Sequence, residues 1–172
     1  MSTRGNVAIA INGVDARIIY NHFDSYPRNG LGKILKLYYT NKEKVERLIN
    51  MGDASSIDKF IGTKHDFNHC PDGECNFYGR DRGEDNVDAW TGAIEHSWEG
   101  SGADYDYLFK PNTGIWYVRQ SYGEDAWRVL TDVECGITAQ DKEQAEKEIA
   151  EYNKKEFNIE MWNALHNDRY FH

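Results

Sequence analysis

Four side chains suited to acid–base or anion chemistry recur at alternate positions in one short run, His22-Phe23-Asp24-Ser25-Tyr26-Pro27-Arg28. Alternation puts residues 22, 24 and 26 on one face while the chain stays extended. A histidine beside a carboxylate can exchange a proton or grip a polar ligand. Arg28 offers the planar fork that suits phosphate or carboxylate. The same residues also fit a hydrogen-bonded corner, in which Asp24 caps the turn, Tyr26 packs on Pro27 and His22 satisfies a backbone carbonyl.

A second cluster is His65-x3-His69-Cys70-x4-Cys75. Zinc takes imidazole and thiolate in a tetrahedron, and closely spaced ligands favour such a site. His65, His69, Cys70 and Cys75 are therefore candidate ligands for a structural zinc. The spacing departs from a standard knuckle, and adjacent side chains in an extended segment point apart. The competing reading is a polar loop with two buried thiols and no cofactor. A disulfide between Cys70 and Cys75 is disfavoured in a reducing cytosol.

A third feature is a tract of acids and rings. From Gly83 to Phe109 there are seven acids (Glu84, Asp85, Asp88, Glu95, Glu99, Asp104 and Asp106) and no Lys or Arg. Carboxylates spaced along a surface can imitate a phosphate backbone and occupy a basic nucleic-acid channel, while Trp90 and Trp98 add hot-spot area. The candidate contact residues are Asp88, Trp90, Glu95, Trp98, Glu99, Asp104 and Asp106. The alternatives are a solvated edge or a cation site, but no calcium-loop pattern of Asp-x-Asp-x-Asp-Gly occurs.

The elements that must position these residues can be read from periodicity. Asn6–Ile11 and Ala16–Phe23 alternate as strands around Asn12-Gly13, the strongest short hairpin signal. Leu31, Ile34, Leu35 and Tyr38 recur at helical spacing. Asn41 caps a second helix with Val45, Leu48 and Ile49 on its apolar stripe, ended by Gly52. Ser55 or Ser56 is expected to cap a short third helix carrying Ile57, Phe60 and Ile61. Residues 63–86 look irregular, with a turn at Pro71-Asp72-Gly73. Strands follow at 103–110, 115–120 and 126–130. Thr138 caps a helix from Ala139 to about Lys154, with Ala145, Ile149 and Tyr152 on one face. A separate helical segment, 159–166, carries Met161, Trp162 and Leu165. The expectation is an α+β fold: an N-terminal β-hairpin and a second antiparallel meander form a sheet packed with several helices, including C-terminal ones.

The 172 residues fit one domain spanning 1–172, with enough apolar and aromatic material for a core. The longest apolar runs are too short to span a membrane. Met1-Ser2-Thr3-Arg4-Gly5 has no hydrophobic signal region, so a cytosolic protein is expected. An odd count of three cysteines implies no disulfide framework. A net charge of −9 disfavours direct nucleic-acid binding and leaves a basic protein surface as a partner. No P-loop, dinucleotide fingerprint, nucleophile elbow or His-Glu-x-x-His pattern occurs.

Met1-Ser2-Thr3-Arg4, Ile19-Tyr20-Asn21-His22-Phe23-Asp24-Ser25-Tyr26-Pro27, Ile94-Glu95-His96 and Asp104-Tyr105-Asp106-Tyr107 together resemble small uncharacterised bacteriophage and prophage proteins. Those proteins start with Met-Ser-Thr-Arg and carry a Tyr-x-His-x-Asp-Gly-Tyr-Pro stretch. Here Ser25 stands in place of the usual Gly. The likeness covers the first forty residues and 94–118. It implies an anti-defence role, such as anti-CRISPR inhibition in the host cytosol, with a bacterial defence protein as partner. Two alternatives stand beside it. One is a module that binds or cleaves a nucleotide signal through His22, Asp24, Tyr26 and Arg28, with Arg80 and Arg82 as phosphate grips. The other is a zinc-containing nuclease.

Overall fold

Alternating apolar residues on three segments build the centre of the molecule. In the computed structural model, which describes residues 2–98, 102–121 and 126–168, the first strand is β1 (Gly5–Ala10). It turns back into β2 (Asp15–Asn21) and pairs in parallel with β6 (Tyr105–Lys110). With a neighbour on each side, β1 is buried almost throughout. β6 continues into β7 (Ile115–Gln120) and then β8 (Arg128–Val129) as an antiparallel meander. On the other side, β3 (Ala54–Ser56) and β4 (Asn76–Phe77) extend the sheet beyond β2. β5 (Trp90–Ala93) pairs with the opposite half of β2. The described residues thus form one mixed sheet of eight strands with both the expected hairpin and the expected meander, an α+β fold.

Helices α1 (Leu31–Tyr38) and α2 (Lys42–Asn50) lie between β2 and β3 in the chain, and β2 and β3 run parallel at Asn21 and Ala54. Asn41 caps α2 by accepting the Lys44 N–H at 3.0 Å, and Gly52 ends it at φ +79°. Leu31, Leu35, Val45, Leu48 and Ile49 are buried, and α2 packs on β1 and β2. By alternation Val7, Ile9, Ile19, Tyr107 and Phe109 share one sheet face. Ala8, Ala16, Ile18 and Leu108 share the other, where they form a second cluster with Ile94 and Trp98.

Several local features differ from expectation. The hairpin loop is not a two-residue Asn-Gly turn: Ala10 pairs with Ala16, and Asn12 Oδ1 accepts the N–H groups of Val14 and Asp15. That Asx geometry replaces the positive-φ turn. Ser55 and Ser56 cap no helix; they belong to β3, whose Ala-Ser-Ser has no apolar alternation to announce it. Beyond them, 57–75 is irregular, and its Pro71–Gly73 turn is closed by Glu74 N–H to Pro71 O at 3.2 Å. A five-residue helix, α3 (Tyr78–Arg82), follows β4, and a four-residue helix, α4 (Asp132–Cys135), follows β8 under a Thr131 cap. Finally, the two C-terminal segments are one helix, α5 (Ala139–Asp168), because no breaker stands between Lys154 and Ile159.

The chain divides into two compact units, residues 1–137 and 138–172. In the second, Thr138 and Asp141 cap α5 reciprocally, N–H to carboxylate at 2.9 Å and N–H to hydroxyl at 3.1 Å. No described helix is long and apolar enough to cross a membrane.

Candidate functional site

The corner after β2 is built mainly from backbone bonds. His22 and Phe23 N–H groups bond the carbonyls of Ala54 and Ser55, Ser25 N–H bonds Thr3 O, and Leu31 N–H bonds Asp24 O at 2.8 Å. Tyr107, its hydroxyl pushed well above the ordinary phenol range by burial, donates to Ser25 O at 2.6 Å. Gly30 is needed here: a Cβ would stand 2.5 Å from Tyr26 O. Within this frame the four candidates separate. His22 Nδ1 lies 2.8 Å from the Tyr20 hydroxyl. Asp24, at φ +55°, accepts from Tyr26 Oη at 3.3 Å. Arg28 is exposed and makes no hydrogen bond or ion pair among the described residues. His22–Tyr20 and Asp24–Tyr26 are thus two separate pairs.

The His/Cys loop is likewise divided among different partners. Both ring nitrogens of His65 are 3.0 Å from acceptors, Nδ1 from Thr63 O and Nε2 from Asn76 Oδ1. His69 is exposed and pairs with Asp66 at 3.2 Å. Cys70 Sγ points at the Pro71 and Glu74 carbonyls. Cys75 is fully buried between the Tyr39 hydroxyl and Asp58 N–H, both at 3.3 Å, and burial pushes its thiol up to about 12. Among the described residues, no group of three or more metal-ligating side chains is brought together.

What organises this loop is the Arg80–Asp81 pair, of which the sequence singled out only Arg80, as a phosphate grip. Asp81 has no exposed side-chain surface, and it accepts from Arg80 Nε at 2.9 Å, Phe77 N–H at 2.8 Å and His65 N–H at 3.1 Å. Arg80 also donates to Ile61 O, Gly62 O and Cys75 O. Burial pushes the Asp81 carboxyl upward, but the bonds from Arg80, Phe77 and His65 together hold it below the ordinary carboxylate value. Arg80 is therefore spent on the fold and cannot grip a phosphate. Arg82 lies over the Phe67 and Tyr78 rings, 4.4 and 4.8 Å from their centroids, and pairs with Glu84 at 2.7 Å.

The acidic tract divides into buried and exposed parts. Asp106 faces inward on β6 opposite Arg119 on β7. Its carboxylate accepts from Arg119 Nε at 2.9 Å, from Asn6 Nδ2 at 2.9 Å and from the Ser121 hydroxyl. Arg119 then donates to Ile94 O at 3.2 Å and His96 O at 2.7 Å, its guanidinium between the rings of Trp98 and Trp127. Trp98 is itself buried and donates to Ala93 O at 2.9 Å. Asp106 and Trp98 thus hold the 93–98 segment down and offer nothing to a partner. Asp104 is half-buried and accepts the Arg4 N–H at 3.0 Å. Glu99 lies outside the described residues. Arg119 was missed by sequence reading; its signal was a lone base in the apolar, aromatic strand 115–120.

The remaining described acids of the tract are exposed. Glu84, Asp85, Asp88 and Glu95 are exposed, and Trp90 is 42% exposed. Trp90 stands on β5, its ring over Gly92, where a Cβ would meet it at 2.7 Å. The nearest base in register, Arg17 opposite Thr91, donates to Asn50 Oδ1 at 2.7 Å. A groove of about 350 Å³ opens beside Glu95, between the hairpin loop at 11–13 and the turn at 110–112, with Lys110 on its far wall. This surface can bind cations by charge and flat groups by stacking. Comparison with known proteins gives no match: no family model fits the chain, and no curated protein or solved structure is significantly similar to it.

Proposed function

We propose that this is a stoichiometric binding protein of the phage-inhibitor type, which blocks a bacterial defence effector by covering a basic nucleic-acid-binding surface. One observation carries the reading. Asp85, Asp88, Trp90 and Glu95 all stand exposed, and Glu84 is exposed but paired with Arg82, in a stretch where 83–109 contains no Lys or Arg. Carboxylates of this kind steer a basic partner and set register, and an anchored indole supplies contact area near them. The buried Asp106–Arg119 pair supports the same reading from below, because it fixes 94–98 and with it the position of Glu95. The resemblance to phage proteins suggests the class of target; the charge pattern suggests which surface of the target is covered.

The test is gel filtration of the protein with a guide-loaded CRISPR effector, with and without target DNA, between roughly 50 and 300 mM salt. The expected result is co-elution at low salt, loss of the complex as salt rises, and exclusion by bound DNA. Co-elution indifferent to both salt and DNA contradicts the charge-based reading.

A further inference from the structure

A different surface, on α5, points to a second copy of this chain. At 3.6 residues per turn, Ala145, Ile149, Tyr152 and Ile159 fall on one side of the helix. Phe157, Met161 and Leu165 fall on the opposite side, with Trp162 flanking them. One apolar surface cannot cover both stripes. The second stripe is open: Phe157, Met161, Trp162 and Leu165 are 60%, 48%, 59% and 62% exposed. Trp162 is held in place by stacking on His166 at 3.6 Å between ring centroids.

We propose that this stripe pairs antiparallel with the same stripe of a second copy, around a twofold axis at Met161. The stripe is self-complementary about that residue. A twofold axis there sets Phe157 of one copy opposite Leu165 of the other, so apolar meets apolar at every level. Antiparallel pairing also keeps Lys154 and Lys155 of the two copies apart, whereas a parallel pair would set each against itself. With an aromatic side chain offering roughly 150–250 Å², the four residues and the neighbouring Lys154 and Asn158 stems present on the order of 500 Å² per chain. Two copies then bury at most about 1,000 Å², the lower limit of specific interfaces. The dimer is accordingly weak and concentration-dependent.

Sedimentation of the full chain from about 1 to 100 µM tests it, a range suited to a weak dimer in exchange with monomer. The expected result is a monomer–dimer equilibrium whose dissociation constant rises at least tenfold in Met161→Glu. Asn163→Glu, on the other side of the helix, should leave it unchanged. Far-UV circular dichroism confirms that both variants keep the helix. In a Cys70→Ser background, Met161→Cys should form an interchain disulfide on mild oxidation, as only residues near the twofold axis meet their own copies. A monomer at the highest concentration overturns the proposal. So does equal weakening by Asn163→Glu, or failure of Met161→Cys to cross-link.

Discussion

Two arginine–aspartate pairs sit inside the first unit and do similar work by different routes. Arg80 and Asp81 are chain neighbours on a short helix, and they gather the irregular 61–77 segment by its carbonyls and N–H groups. Asp106 and Arg119 are partners across two strands of the sheet, and they gather 94–98 and Trp127. In both, an arginine tied to a carboxylate substitutes for the backbone ladder that an irregular segment lacks. The difference is where uncommitted charge remains. Around Arg80–Asp81 the nearby base, Arg82, is itself paired with Glu84. At Asp106–Arg119 both charges are consumed below the surface, and elsewhere in the tract Asp88, Glu95 and Trp90 stay exposed. An acid-rich tract can thus be half buried scaffold and half exposed surface.

The largest effect is expected at the cross-strand pair. Arg119→Ala leaves Asp106 buried without its counter-charge, which costs about 3–5 kcal/mol. At a few degrees per kcal/mol for a domain of this size, the midpoint of thermal unfolding should fall by about 10 °C or more. Asp106→Leu combined with Arg119→Met should recover only part of that loss: it removes the stranded charge, but Asn6 Nδ2 and the carbonyls of Ile94 and His96 still lose these partners. A smaller loss, about 2–3 kcal/mol, is expected for Asp81→Asn, which keeps the shape and forfeits the charge-assisted bonds. It comes with a pH signature. A carboxyl held below its unfolded value of about 3.9 contributes stability that is full above that value and lost as pH falls through the folded value. The gap in unfolding midpoint between wild type and Asp81→Asn should therefore be constant near neutrality. It should close as the pH drops below about 4.

The smallest effect on stability is expected at Arg82→Ala. Its ion pair with Glu84 is nearly half exposed and contributes less than about 1 kcal/mol, and its packing on the Phe67 and Tyr78 rings adds about 0.5–1 kcal/mol. Chemical denaturation resolves this, and a loss comparable to Arg119→Ala would show that the two regions are not built as described.

How much of this was legible in the sequence depends on where each signal comes from. Strands 115–120 and 103–110 and the helix stripe at Val45, Leu48 and Ile49 follow from local periodicity, and they stand nearly as expected. β3 was not legible, because Ala-Ser-Ser becomes a strand only by pairing with Asn21 and Phe77, both distant in sequence. The same holds for the site. Alternation suggested one face for His22, Asp24 and Tyr26, but Asp24 turns the chain at positive φ and ends the alternation. The acids of 83–109 were visible as a class, yet which of them is buried depends on Arg119, a partner no local pattern reveals. Asp88 and Glu95 lie just outside β5 and stay exposed.

Those exposed acids are the groups on which the proposed contact depends. The deciding measurement is binding of wild type and of the Asp85→Asn, Asp88→Asn, Glu95→Gln variant to the same guide-loaded effector, at low salt, with unfolding midpoints recorded alongside. The expected result is an unchanged midpoint, since none of the three is buried, with binding weakened at least tenfold and its salt dependence reduced. Undiminished binding by a variant that is equally stable would contradict the account.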